Sequence, residues 1–156
     1  MLFLPWLSGS LAPQVSPATR GAYLNLNLEI RRIDLIRATA EGVAHNLRWL
    51  LPYIEVFTGN EIRDISFIGG AARSAAWTQL LADVLDRPVA QMPDPDRAVA
   101  RGVALFALER QGHLAAPRID HAARAIHANP EHRTLYDSLQ EQFVVAFNSL
   151  QPASQP

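Results

Sequence analysis

The stretch Ile65-Ser66-Phe67-Ile68-Gly69-Gly70-Ala71-Ala72-Arg73-Ser74 constrains the fold more than any other part of the chain. A short run rich in β-branched and aromatic residues ends at two glycines, and apolar residues at helical spacing (Trp77, Leu80, Leu81, Val84, Leu85) begin a few positions later. The pattern predicts a strand, a tight turn and a helix. Adjacent glycines allow positive φ and leave no Cβ between the backbone and whatever lies against it. The unpaired amides of such a turn, with the positive end of the helix dipole, make a place where phosphate or another anion can sit. Ser74 is placed to cap the helix by accepting from an amide near Trp77.

The turn is neither of the common phosphate fingerprints. No Lys-Ser/Thr follows the glycines as in a P-loop, and they are adjacent, unlike those of the dinucleotide pattern G-x-G-x-x-G. On spacing alone, a structural turn that binds nothing is an equally open reading.

The rest of the composition narrows the classes. At 156 residues the chain fits one domain with a real core. Fourteen basic against fifteen acidic residues give a net charge of −1, which points to no nucleic acid or other polyanion. The absence of cysteine removes disulfides and thiol chemistry and fits a cytoplasmic location. No apolar run is long enough to span a membrane, and the apolar start lacks the basic region of a signal peptide.

In chain order, residues 2 to 7 read as a short buried strand and Tyr23 to Leu28 as an alternating one. Ile33, Ile36, Ala40, Val43, Leu47, Leu50 and Ile54 predict a core-facing helical stripe, which Pro52 should end or kink. His45 beside it is read as a core-edge histidine. The turn and its helix follow, with Trp77 expected to be buried, and then a strand at 88–91. Asp96 is the expected cap of a helix over about 97–111, on which Gly102 implies close packing. Residues 114–128 read as a polar connector, with His121, His127 and His132 solvated and no metal site. A last amphipathic helix is expected over 131–150, and residues 151–156 as a disordered tail.

Taken together, Gly69-Gly70-Ala71-Ala72-Arg73-Ser74 and Trp77-Thr78-Gln79-Leu80-Leu81-Ala82-Asp83, followed by Pro88-Val89, resemble the adenosine motif of the FGGY carbohydrate kinases. Ala71 stands where many members carry a third glycine, and glycerol-kinase-like members carry Gly-Gly-Ala there. The segment from Leu4 to Gly21 resembles a family segment near the cleft, keeping Gly9, Pro13, Pro17, Arg20 and Gly21. Its Glu, Arg and Asp positions hold Ser10, Leu11 and Ser16. Ala98, Gly102 and Ala104 resemble the family helix that packs beside the nucleotide.

The resemblance implies an α/β, ribonuclease-H-like (actin-like ATPase) domain, a mixed sheet flanked by helices. Residues 1–150 would be a C-terminal, nucleotide-side domain of xylulokinase type, lacking its first hairpin. It implies ATP, with Mg²⁺ held by the nucleotide, and contact through Gly69, Gly70, Ala71 and Ser74. The catalytic Asp, the Asp-Gly phosphate loop and the sugar site belong to an N-terminal half, so the chain is expected to be inactive alone. Sugar binding would need that half. Two other readings stay open: a split-kinase subunit or nucleotide-binding interaction module, self-associating or binding a partner through an exposed cleft face, and a remnant that binds nothing.

Overall fold

The computed structural model describes residues 1–113 and 124–150; His121 and the 151–156 tail lie outside the described residues. Strand β1 (Leu2–Leu4) pairs antiparallel with β2 (Ala22–Leu24), and β1 lies on the long helix α1 (Arg32–Thr58). Then come β3 (Ile65–Phe67), α2 (Ala75–Leu85), β4 (Val89–Gln91), α3 (Ala98–Arg110), β5 (Arg124–Ile126) and α4 (Arg133–Ser149). β4 lies between β3, its parallel neighbour, and β5, its antiparallel one. The expected mixed sheet flanked by helices is present, with β3 at its edge among the described residues.

The core has two parts. One gathers Leu81, Ala82, Val84 and Leu85 of α2 with Val89, Ala44 and Tyr136. The other is aromatic, with Trp6, Trp49, Phe143 and Phe147 packed against Leu2 and Leu4.

Several expectations are corrected. The buried face of α1 is Ala38, Ala40, Gly42, Ala44, His45 and Trp49, whereas Ile33, Ile36, Val43, Leu47 and Ile54 are exposed. Small residues win that face because α1 lies almost in contact with β1: a Cβ on Gly42 would stand 2.2 Å from the Phe3 carbonyl oxygen. Pro52 does not end the helix, which runs to Thr58 and closes at Gly59 with φ 68°. The second strand stops at Leu24 because Asn25 turns to φ 58°. The residues read as a connector contain β5, three residues whose pattern is too short to give a period.

Helix α3 has no buried residue, and a Cβ on Gly102 would meet no atom within 4 Å, so the close packing expected there is absent among the described residues. Asp96 does not cap α3; it sits in a 3-10 turn, Pro95–Arg97, and faces Arg73 at 3.7 Å. The loop before β2 lacks the family's charges but is held by hydroxyls. Ser10 Oγ donates to the Gln14 carbonyl at 2.7 Å, and Ser16 Oγ and Thr19 Oγ1 lie 2.6 Å apart; Ser10, Ser16 and Thr19 are buried and Gln14 is exposed.

His45 is fully buried rather than at the core edge. Its Nδ1 meets Gln140 Oε1 at 2.8 Å and its ring stacks on Phe143. Burial holds its pKa below the ordinary value, outweighing the hydrogen bond to Gln140. Above about pH 6.5 the ring is neutral in both folded and unfolded chains. Below that, the unfolded chain takes up a proton that the folded one resists, so stability falls with pH. Thermal melts from pH 7.5 to 5 should therefore show a steeper loss in the parent than in His45→Gln; equal slopes would mean that His45 is solvated.

Candidate functional site

The chain leaves β3 at Gly69, whose φ of 92° is strained for any residue with a side chain. Its amide donates to the Pro95 carbonyl at 2.8 Å and its carbonyl accepts from Ala72 at 3.1 Å. Gly70–Arg73 then form a single 3-10 turn. As expected, Ser74 caps α2: its Oγ accepts from the Trp77 amide at 3.4 Å, and its carbonyl accepts from the Thr78 amide at 3.1 Å.

The four candidate residues, Gly69, Gly70, Ala71 and Ser74, are thus brought into one connection between β3 and α2. Gly70 and Ala71 are exposed, and a Cβ on Gly70 would meet no atom within 4 Å. Their amides open the 3-10 turn, where no carbonyl of that turn can accept from them. The result is a bare stretch of backbone with donors at the positive end of α2.

One residue that holds this turn was not legible in the sequence. Gln91, at the end of β4, donates from Nε2 to the Ala72 carbonyl at 2.7 Å, and Ala72 is fully buried. No motif marks it, because its partner is a main-chain oxygen brought close only when β4 pairs with β3.

A cavity of about 410 Å³ opens between α1 and α2, lined by Ile33, Ile36, Ala40, Trp77, Leu80 and Tyr136 among others. Trp77 is therefore a half-buried wall residue, not the buried anchor expected from its spacing. The cavity and the glycine turn share the first turn of α2, since the Trp77 amide is the one that Ser74 caps. At the cavity edge the Tyr136 hydroxyl donates to Glu41 at 3.0 Å, and Arg37 Nε donates to the same carboxylate at 2.9 Å. Burial raises the Tyr136 pKa, so the phenol stays neutral. Glu41, ahead of Tyr136, raises that of Arg37.

The acids near the turn are otherwise engaged or distant. Asp83 is buried, and its Oδ1 accepts from Gln79 Nε2 and the Asn129 amide, both at 2.8 Å. Its Oδ2 meets His132 Nδ1 at 2.9 Å, so His132 is not merely solvated but ties α4 to α2. Such a carboxylate is a structural brace. Among the described residues no cluster of three or more His, Asp or Glu could hold a metal ion.

Solved structures share this fold. The xyloylose kinase from Brucella ovis superposes with a TM-score of 0.80 at 26% identity, covering 96% of this chain and 31% of that one. A Plasmodium falciparum glycerol kinase solved with ADP gives 0.70 at 17% identity, over 94% of this chain and 30% of that one. The architecture is that of the actin-like ATPases. Residues 1–109 match the model of the FGGY family of carbohydrate kinases, C-terminal domain, and the chain belongs to that family.

Among curated relatives, the gluconokinase of Bacillus subtilis (strain 168) is 28% identical over 141 residues, 90% of this chain and 27% of its own length. The xylulose kinase of Escherichia coli (strain K12) is 32% identical over 105 residues, 67% of this chain and 22% of its own. The chain thus spans about a quarter of the length of these relatives. No described helix is long and apolar enough to cross a membrane.

Proposed function

We propose that residues 1–150 act as the nucleotide-side domain of an ATP-dependent sugar kinase, contacting adenine nucleotide through Gly69, Gly70, Ala71 and Ser74. The observation that carries this reading is the open, side-chain-free backbone at Gly70, at the N-terminal end of α2, in a chain of this family. Gly70 would lie along the α-phosphate or ribose, with the Gly70 and Ala71 amides toward anionic oxygens and the Ser74 hydroxyl at the rim. The ADP of the glycerol kinase structure supports the ligand class.

Mg²⁺, bound to the nucleotide's phosphates, would supply charge neutralisation for phosphoryl transfer. The residues of this chain give it no assigned ligand. A general base and an in-line acceptor are also needed. Asp83 is a brace, so in this reading the chain alone does not turn over. Xylulose is the proposed acceptor, supported by the xylulose kinase relatives, and gluconate competes with it through the longer gluconokinase match.

Gly70→Val tests the turn. An added Cβ meets no protein atom within 4 Å, Gly70 is exposed, and it does not have the positive φ of Gly69, so the fold should be undisturbed. The parent chain is expected to bind an ATP analogue in calorimetric titration, and the variant at least tenfold more weakly. Equal affinity would remove the turn from the nucleotide site.

A second reading, an interaction module or split-kinase subunit, is favoured by α3. Val99, Val103 and Phe106 are 63, 64 and 55% exposed, and an apolar face of this kind on a helix normally packs against something. A module that does not use nucleotide would give no heat in the same titration with either protein.

A further inference from the structure

The turn that carries the candidate nucleotide contacts closes on itself through the Ala72 amide to the Gly69 carbonyl and the Ser74 amide to the Ala71 carbonyl, both at 3.1 Å, and is anchored to the rest of the fold from outside. Gly69 is joined to the 3-10 turn before α3 through its amide and the Pro95 carbonyl; Gly70 and Ala71 are exposed, and a Cβ on Gly70 would meet nothing within 4 Å. Ala72 is fully buried, and no main-chain amide of the described residues donates to its carbonyl. Its donor is the side-chain amide of Gln91 at 2.7 Å, reaching across from the last residue of β4. Gln91 is opposite Phe67 in the parallel β3–β4 register, so the strand that leads into the turn and the side chain that holds it are fixed by the same pairing.

A peptide unit is planar, so fixing the Ala72 carbonyl also fixes the plane it shares with the Arg73 amide. Only two α-carbons separate that plane from the peptide between Gly70 and Ala71, whose N–H is one of the exposed donors. Gly69 and Gly70 themselves are the residues least able to resist rotation. The turn's own hydrogen bonds hold its shape, and its placement on the sheet, with that of the exposed amides, is fixed from outside at Pro95 on one end and Gln91 on the other.

We propose that Gln91 is a positioning residue for the anion-facing backbone of the 69–74 turn, keeping the Gly70 and Ala71 amides in the orientation that receives the ligand. The proposal rests on the nucleotide reading above. Its electrostatic neighbours do not replace it, because Arg73 and Asp96 are both exposed and 3.7 Å apart, a pair of little weight in water. Without the amide donor, the turn samples other orientations, and apparent affinity falls by the fraction of time the binding orientation is lost. A typical net hydrogen-bond contribution corresponds to about three- to tenfold.

Gln91→Leu keeps the bulk and removes the donor; Gln91→Glu keeps the shape and, ionised, cannot donate. Hydrogen exchange of the free proteins and titration with ATP·Mg²⁺ followed by amide NMR test the assignment. In both variants, exchange at the hydrogen-bonded turn amides of Ala72 and Ser74 should rise while that of residues 81–85 in α2 stays at the parent rate. ATP·Mg²⁺ should bind about three- to tenfold more weakly. If the parent's turn amides do not respond to ATP·Mg²⁺, the nucleotide reading has failed and this role with it. If the parent responds and both variants match its affinity and exchange, the reading stands and the role of Gln91 is wrong. Faster exchange throughout α2 would make Gln91 a general stabiliser of the sheet and overturn the proposal in the same way.

Discussion

Gly42→Ala is expected to lower the melting temperature by roughly 5–10 °C, although alanine is the better helix former. In an open helix the change would stabilise by about 0.5–1 kcal/mol. Here the new Cβ would stand 2.2 Å from the Phe3 carbonyl oxygen and 3.0 Å from the Phe3 carbonyl carbon, both main-chain atoms of β1. Phe3 is paired with Tyr23 across the hairpin, so β1 cannot move aside without dragging β2. Overpacking of this kind typically costs about 1–3 kcal/mol, and it reverses the sign set by helix propensity. Gly102→Ala is the matched control: its Cβ meets nothing within 4 Å, so the variant should melt at or slightly above the parent. If Gly42→Ala also melts at or above the parent, α1 does not lie on β1 as described.

The same close approach explains what the sequence could and could not show about the fold. Apart from β5, the order of strands and helices followed from period and punctuation, and the strand-turn-helix at 65–85 was legible down to the Ser74 cap, though not in the half-buried place of Trp77. The buried face of α1 was not. A stripe of Ile33, Ile36, Val43 and Leu47 has the spacing of a core face, but helix-to-strand distance decides which face goes inside. At this distance alanine and glycine fit and isoleucine does not. For α3 the pattern was also apolar, yet none of its residues is buried among the described ones.

The candidate site divides in the same way. Gly69, Gly70 and Ser74 could be found because their roles are local: φ, missing Cβ and a cap all act within a few residues. Gln91 and the Asp83–His132 brace could not, since each joins groups 19 and 49 positions apart that only the folded chain brings together. The histidines invited a metal reading, and their spacing argued against it; neither consideration could reveal that His132 faces a carboxylate on another helix.

Phe143→Ala should cost the fold about 3–5 kcal/mol, a large share of the stability of a domain of this size. Phe143 is fully buried and lies 5.0 Å from the Trp6 ring and 6.4 Å from that of Trp49, with His45 stacked on it at 5.7 Å. It therefore joins α4 to both α1 and the segment after β1, and its loss opens a cavity between three elements that cannot all close in. Two of the three tryptophans, Trp6 and Trp49, border that space, whereas Trp77 stands apart on the wall of the α1–α2 cavity. Water entering the space should red-shift the emission of the first two while leaving Trp77 unchanged. The half-buried Trp77 loses less on truncation, so Trp77→Ala should cost about half as much as Phe143→Ala. A Trp77→Ala variant that melts below Phe143→Ala would place the centre of the core between α1 and α2 and not in the aromatic cluster under α4.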